Sequence, residues 1–192
     1  MSLAEAPATS RLMTVEEFLA IPEDGIERDL IRGEAREWPT TRYIPIHNET
    51  ESLIGHYLWA WIMAGPRPWG KVLSGEAGFR LKGDPETFVG IDVAYVSAEM
   101  VAGNVGRRKF YEGPPVLAIE ILLLSDLHER TVDKIETYLE AGVVVWVVAP
   151  DFRTVVVHRP GELPVGYNEG QELDGEPYLP GFRVAVARLF EG

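Results

Sequence analysis

The sequence predicts an α/β (α+β) domain in which helices flank one mixed β-sheet. Three observations carry that prediction. Leu53, Ile54, Tyr57, Leu58, Trp61 and Ile62 recur at helical spacing within residues 48–63, which marks a first long helix. Two short apolar runs, residues 116–124 with Glu120 as its one charged residue and residues 143–148, read as strands buried on both faces. A second long helix fits between them, capped by Ser125 or Asp126, running to about Ala141 and ended by Gly142.

The remaining elements follow in chain order. Thr14-Val15-Glu16-Glu17 has the pattern of a capping box, and Pro22 limits the helix it opens to a short one carrying Phe18 and Leu19. Residues 26–31 alternate apolar and charged side chains, Gly33 marks a turn, and residues 34–38 return as the second strand of a hairpin. After the first long helix come strand-like runs at residues 71–73, 78–81 and 89–96, with Lys82-Gly83-Asp84-Pro85 as a turn. Residues 154–158 read as another strand after the Ala149-Pro150-Asp151 break. The tail alternates short strands with turns at Gly170, Gly175 and Gly181. No repeat, low-complexity segment or interior linker interrupts this order. Residues 13–192 are therefore expected to form a single domain, behind a loose leader at residues 1–12.

With 192 residues and 46% of them hydrophobic, the chain can bury a full core. It has no cysteine, which excludes disulfides, thiolate zinc sites, Cys-ligated iron–sulfur clusters and a cysteine nucleophile. The formal charge of -12 argues against indiscriminate coating of nucleic acid, because neutralising phosphate requires an excess of Lys and Arg. The deficit is uneven, however. Residues 67–109 hold seven basic side chains (Arg67, Lys71, Arg80, Lys82, Arg107, Arg108, Lys109) against five acidic ones, a local surplus of two in the stretch that also contains Asp92. The first residues lack a basic segment followed by a long apolar one, and no apolar run approaches the roughly 20 residues that span a bilayer. A soluble, cytoplasmic protein with no membrane partner is expected.

The informative chemistry is a pair of solitary acids within apolar strands. Glu120 lies in Val116-Leu117-Ala118-Ile119-Glu120-Ile121-Leu122-Leu123-Leu124, and Asp92 in Phe88-Val89-Gly90-Ile91-Asp92-Val93-Ala94-Tyr95-Val96. An ionised carboxylate there needs a cation, a metal or a water-filled notch, since burying it alone costs several kcal/mol. Arg130, Lys134 and Tyr138 recur at i, i+4, i+8 on the helix after the Glu120 strand, beside an apolar face of Val132, Ile135 and Leu139. Lys134, flanking that buried face, is placed to reach back toward Glu120. Two acids and a lysine suit metal-dependent phosphodiester hydrolysis: carboxylates hold hard divalent cations, Mg²⁺ or Mn²⁺, and an ammonium orients water or offsets developing charge. The alternative is that Arg or backbone donors satisfy each acid independently, or that each sits where a strand frays into solvent.

The ordered set Asp29-Leu30-Ile31-Arg32-Gly33-Glu34, His47, Ile91-Asp92-Val93, Glu120-Ile121-Leu122, Asp133-Lys134 with Tyr138, Gly142-Val143 and Trp146 resembles the Uma family of restriction-endonuclease-like proteins, within the PD-(D/E)XK nuclease superfamily. The resemblance runs from about Met13 to Phe190, and residues 133–146 are its most specific part. It implies a restriction-endonuclease-like fold, a DNA substrate and a divalent metal bound by Asp92 and Glu120. The superfamily's motif lysine falls at Leu122, and the resemblance implies its relocation to Lys134. Glu34 and His47 match further polar positions: Glu34 as an outer metal or water contact, His47 as a phosphate or acid contact. The chain departs from the family pattern at Ile91 (usually Pro), Asp29 (usually Glu) and Leu123-Leu124 (usually Ser-Pro).

Other chemistries find little support. His47, His56, His128 and His158 show no zinc spacing, and neither a phosphate loop nor a nucleophile elbow occurs. The five tryptophans, Trp59 and Trp61 on the first long helix among them, read as core and interface residues rather than base-stacking platforms. Two functions remain in view: a divalent-metal-dependent DNA endonuclease using Asp92, Glu120 and Lys134, or a non-catalytic, dimeric interaction module that keeps the same fold.

Overall fold

The computed structural model describes residues 11–38, 44–104, 109–123 and 130–191, without the side chains of residues 130 and 131. Its centre is a nine-stranded mixed sheet. A hairpin of β1 (Glu27–Ile31) and β2 (Glu34–Trp38) enters first, pivoting on Arg32 and Gly33, both at positive φ. The long helix α2 (Pro45–Ala64) leads to the antiparallel pair β3 (Lys71–Leu81) and β4 (Thr87–Val96). After a short helix α3 (Ala98–Gly103) and a two-residue strand β5 (Tyr111–Glu112), the chain enters β6 (Leu117–Ile121). Helix α4 (Arg130–Glu140) crosses over to β7 (Val144–Ala149), which lies parallel to β6, as two parallel strands with a helix between them must. β8 (Thr154–His158) and β9 (Val165–Asn168) extend the sheet antiparallel. A separate two-stranded ribbon joins β10 (Glu172–Asp174) to β11 (Arg183–Ala185).

The sheet is covered on both sides. Ile54 and Leu58 of α2 pack with Val93, Ile119, Trp146 and Val157 and with Phe182, Val186 and Leu189 of the C-terminal segment. On the opposite face Tyr138 of α4 packs with Val89, Ile91, Ala118, Val145 and Val147. A third, small cluster seats the N-terminal helix α1 (Val15–Leu19) through Val15, Phe18 and Leu30. Its capping box is formed as the sequence predicts, with Thr14 accepting from Glu17 N–H and Glu17 closing back on Thr14 N–H.

Most elements fall where the sequence places them, with three differences. The runs at 71–73 and 78–81 are one strand, β3, interrupted by a bulge: Gly75 and Glu76, both at positive φ, stand opposite the single residue Asp92. The short helix α3, capped by Ser97, and the strand β5 fall in a stretch to which periodicity gives no element. The face of α4 is also different. Val132 is 53% exposed, whereas Lys134, Thr137 and Tyr138 are buried, so Lys134 sits at the centre of the buried face rather than beside it. The predicted cap at Ser125 or Asp126 lies outside the described residues. At its other end α4 closes in a Schellman motif: Val143 N–H donates to Tyr138 C=O and Gly142 N–H to Leu139 C=O, with Gly142 at φ 80°. That closure fixes Tyr138 over the sheet.

Candidate active site

The sheet forks at one place, and the predicted acids lie at the fork. β3 runs along one edge of β4 for its whole length. On the other edge β4 changes partner: β1 pairs only at Leu30↔Phe88, and β6 pairs from Val93↔Ile119 onward. Between them, backbone groups of residues 89–92 have no strand to meet on that edge, and buried peptide groups left unpaired are costly. Side chains fill the gap. Gly90 N–H donates to Asp29 Oδ1 at 2.9 Å, and Gly90 C=O accepts from Lys134 Nζ at 2.7 Å. Ile121 N–H, beyond the last residue of β6 that pairs with β4, donates to Asp92 Oδ2 at 2.7 Å.

Around this fork the ionic groups interlock. Lys134 Nζ donates to Glu120 Oε2 at 2.9 Å and lies 3.7 Å from Asp29 Oδ2. Tyr138 O–H donates to Glu120 Oε1 at 2.7 Å, and Trp38 Nε1–H to Asp29 Oδ2 at 2.8 Å. Lys134 is 0% exposed, and Asp29, Asp92, Glu120 and His47 are each buried to 5% exposure or less. Burial at this depth is tolerated because each carboxylate accepts at least one hydrogen bond and a cation stands between two of them. The phenol of Tyr138 is held well above its usual pKa by burial and by the Glu120 charge, so it acts as a donor.

Asp92 faces the other helix. Side-chain alternation slips along β4 opposite the bulge: Ile91 belongs to the cluster on the α4 side and Val93 to the one on the α2 side. Asp92, between them, meets His47 of α2, whose Nε2 lies 3.3 Å from Asp92 Oδ2, within ion-pair range but without an aligned hydrogen bond from either ring nitrogen. Burial pushes the Asp92 carboxyl up, but His47, the Lys134 charge and the Ile121 N–H outweigh it and hold it below the usual aspartate value. For His47, burial works against the charged ring, and the charges of Asp92 and Glu51 overcome that, raising its pKa.

Lys134 thus meets Glu120, and Asp92 meets His47 and the backbone N–H of Ile121, the residue after Glu120. Glu34 stands apart: on β2 it is exposed and pairs with Arg36 at 3.1 Å. Asp29, which the sequence marks only as part of the 29–34 motif, accepts the Gly90 backbone N–H. Two further acids went unmarked. Glu51 of α2 accepts from Gly75 N–H at the bulge and is pushed above its usual pKa by burial, with the Asp92 charge adding. Glu76, at the bulge itself, lies close over Gly90, so that a Cβ there would require the Glu76 carboxylate to move aside. Neither acid has a one-dimensional signal, since both depend on how the bulge folds.

The donor set suits a hard cation. Among the described residues Glu120 takes donors from Lys134 and Tyr138 and Asp92 takes the Ile121 N–H, and a carboxylate offers about four lone-pair sites for donors or a cation. Among the described residues no group of three or more His, Asp or Glu side chains has the spacing to hold an ion alone. An ion here would rest on two carboxylates and water, which is magnesium's habit. Among those residues, too, no helix is long and apolar enough to cross a membrane.

Comparison with known proteins agrees with this architecture. The family model Uma2, described as "Putative restriction endonuclease", matches residues 15–187. A solved structure, the "Crystal structure of a putative nuclease belonging to DUF820 from Anabaena variabilis", superposes with a TM-score of 0.79 at 18% identity, over 93% of this chain and 97% of that one. That degree of likeness establishes a shared fold. No curated protein matches the chain.

Proposed function

Because the chain belongs to the Uma2 family, we propose that it is a nuclease: a divalent-metal-dependent endonuclease that hydrolyses DNA phosphodiester bonds at the sheet fork, with residues 13–192 working as one restriction-endonuclease-like domain. The observation that carries the reading is that three buried groups meet along β6: Lys134 of the crossover helix holds the Glu120 carboxylate, and Asp92 of β4 holds the next backbone N–H, that of Ile121.

Asp92 and Glu120 would hold Mg²⁺ or Mn²⁺. When bound, such an ion polarises the phosphoryl group and lowers the pKa of water. The chain's own groups set the geometry. Lys134 and Tyr138 fix the Glu120 carboxylate from both oxygens, so it cannot rotate away from the fork. Asp92 is held at one oxygen: Ile121 N–H of β6 donates to Oδ2, and His47 of α2 lies 3.3 Å from the same atom. Lys134 also offsets the charge that Glu120 and Asp29 accumulate, and it acts on the reaction through Glu120. Such rigidity matters because a reacting group displaced by about 1 Å can lose about a hundredfold in rate.

A second reading has its own observation. Glu120 is closed between Lys134 and Tyr138, and Leu122 occupies the place of the superfamily lysine. On that reading the cluster is a structural replacement for missing ladder hydrogen bonds, and the protein is a non-catalytic, dimeric interaction module. Incubating purified protein with supercoiled and single-stranded circular DNA in Mg²⁺ or Mn²⁺ separates the two. The nuclease reading predicts nicking or linearisation that chelator abolishes and that both Asp92→Ala and Glu120→Ala lose. Cleavage that persists unchanged in either variant, or none under any condition, contradicts it.

A further inference from the structure

Beside the fork lies a surface unlike the rest of this acidic protein. Trp59, near the end of α2, is 43% exposed. With Arg67, Pro68, Trp69 and Lys71 it lines an open concavity of about 600 Å³. The Arg67 guanidinium lies 4.2 Å from the Trp69 ring centroid, and Trp69 Nε1–H donates to Gly65 C=O, which holds that ring in place. Lys71 also lines the next cleft, about 410 Å³, which follows β3 past Ser74 to Ala77 and Gly78 and carries Lys109 on its other wall. Ser74 and Ala77 pair with Val93 and Ile91, the two neighbours of Asp92. The two concavities therefore form a path of about 20 Å, at about 3.3 Å per strand residue, from the tryptophans to the strand position of Asp92.

Among the described residues no Asp or Glu lines either concavity, in a chain with 30 acids and 18 bases. Arg80, from the same locally basic stretch, is taken up by Glu16 and Glu86, whereas Arg67, Lys71 and Lys109 line the path. Exposed indole faces interleaved with cations are what unpaired nucleotides require: every base offers a π-face for stacking, and the cations follow the phosphates. Duplex DNA, whose bases are already stacked on each other, has no use for the rings.

We propose that this strip binds a single-stranded segment of nucleic acid, with bases stacked on Trp59 and the Arg67–Trp69 pair and phosphates following Lys71 and Lys109 toward the fork. This inference rests on the nuclease reading for its biological sense and specifies the substrate as a strand with an unpaired stretch. Binding is measured by fluorescence anisotropy of a labelled 15-nucleotide oligo-dT and of a duplex of the same length, in chelator so that cleavage plays no part. Wild type binds the single strand more tightly than the duplex. Trp59→Ala weakens single-strand binding about tenfold, equivalent to about 1.4 kcal/mol, with its melting temperature unchanged. Lys71→Ala lowers the slope of log affinity against log salt by about 0.7, the loss of one phosphate contact on a single strand. Equal affinity in both variants and wild type overturns the proposal, as does a preference for duplex, or a Trp59→Ala variant that loses only self-association in sedimentation. Intact binding with no cleavage would defeat the nuclease reading and leave this one standing. Cleavage untouched by both substitutions would do the reverse.

Discussion

Replacing Lys134 with methionine removes a charge from between two buried carboxylates while keeping most of the side chain's volume. Lys134 contacts Glu120 at 2.9 Å and Asp29 at 3.7 Å, and it is the donor to Gly90 C=O at 2.7 Å. Breaking a buried ion pair from one side costs about 3–5 kcal/mol, because the surviving charge remains in a medium that cannot solvate it. The Gly90 carbonyl left without its donor adds about 1 kcal/mol. The sum is about 4–6 kcal/mol, which for a chain of this size lowers the melting temperature by roughly 10–20 °C. Adding Glu120→Gln to Lys134→Met removes one stranded charge and keeps an acceptor for Tyr138, so the double variant should recover about 2–3 kcal/mol. Asp29 keeps the Gly90 and Trp38 N–H donors in both proteins. Urea denaturation at pH 7 reads both values. A loss under about 1 kcal/mol for Lys134→Met, or a double variant no more stable than the single one, would refute the charge balance described for the fork.

Two other perturbations test neighbouring parts of the account. Tyr138→Phe removes the O–H donor from Glu120 Oε1 without opening a cavity, and should cost about 1.5–3 kcal/mol by urea denaturation, the range for a hydrogen bond to a charged group. For His158, burial lowers the ring's pKa below the usual 6.5, so the folded state resists its protonation. Its contribution is present above about pH 6.5 and is lost as pH falls through the depressed folded value. His158→Gln should therefore lose less stability than wild type between pH 7.5 and 5, and parallel pH profiles would contradict this.

How much of this was legible beforehand depends on whether local pattern or tertiary placement decides the outcome. The hairpin, α2 and β8 announce themselves because their periodicity reflects one buried face, and the Thr14 cap because its bonds are local. Asp92 and Glu120 stand out because a lone acid in an apolar run demands a partner. β3 looked like two strands because the Gly75–Glu76 bulge breaks its alternation, and only the pairing with β4 shows that the strand continues. Lys134 was expected at the rim of the buried face because an amphipathic helix normally turns its apolar residues inward. Here the sheet beneath α4 presents Glu120, Asp29 and the Gly90 carbonyl, so the polar Lys134 and Tyr138 point in while Val132 points out. Glu51 and Glu76 reach the neighbourhood only through the bulge. Trp59 was assigned to the core or an interface, but its exposure beside Arg67 and Lys71 is set by how the end of α2 meets β3.

The most direct test of the central claim is a calorimetric titration of the purified protein with Mn²⁺, alongside Asp92→Asn and Glu120→Gln. Both substitutions are nearly isosteric: Asp92→Asn keeps an acceptor for Ile121 N–H, and Glu120→Gln keeps one for Lys134 while its amide N–H can donate to the Tyr138 hydroxyl, so the fork should survive while its capacity for a hard cation falls. The account predicts saturable Mn²⁺ binding by wild type that each substitution weakens sharply. Wild type that binds no metal, or variants that bind it as tightly as wild type, would contradict it.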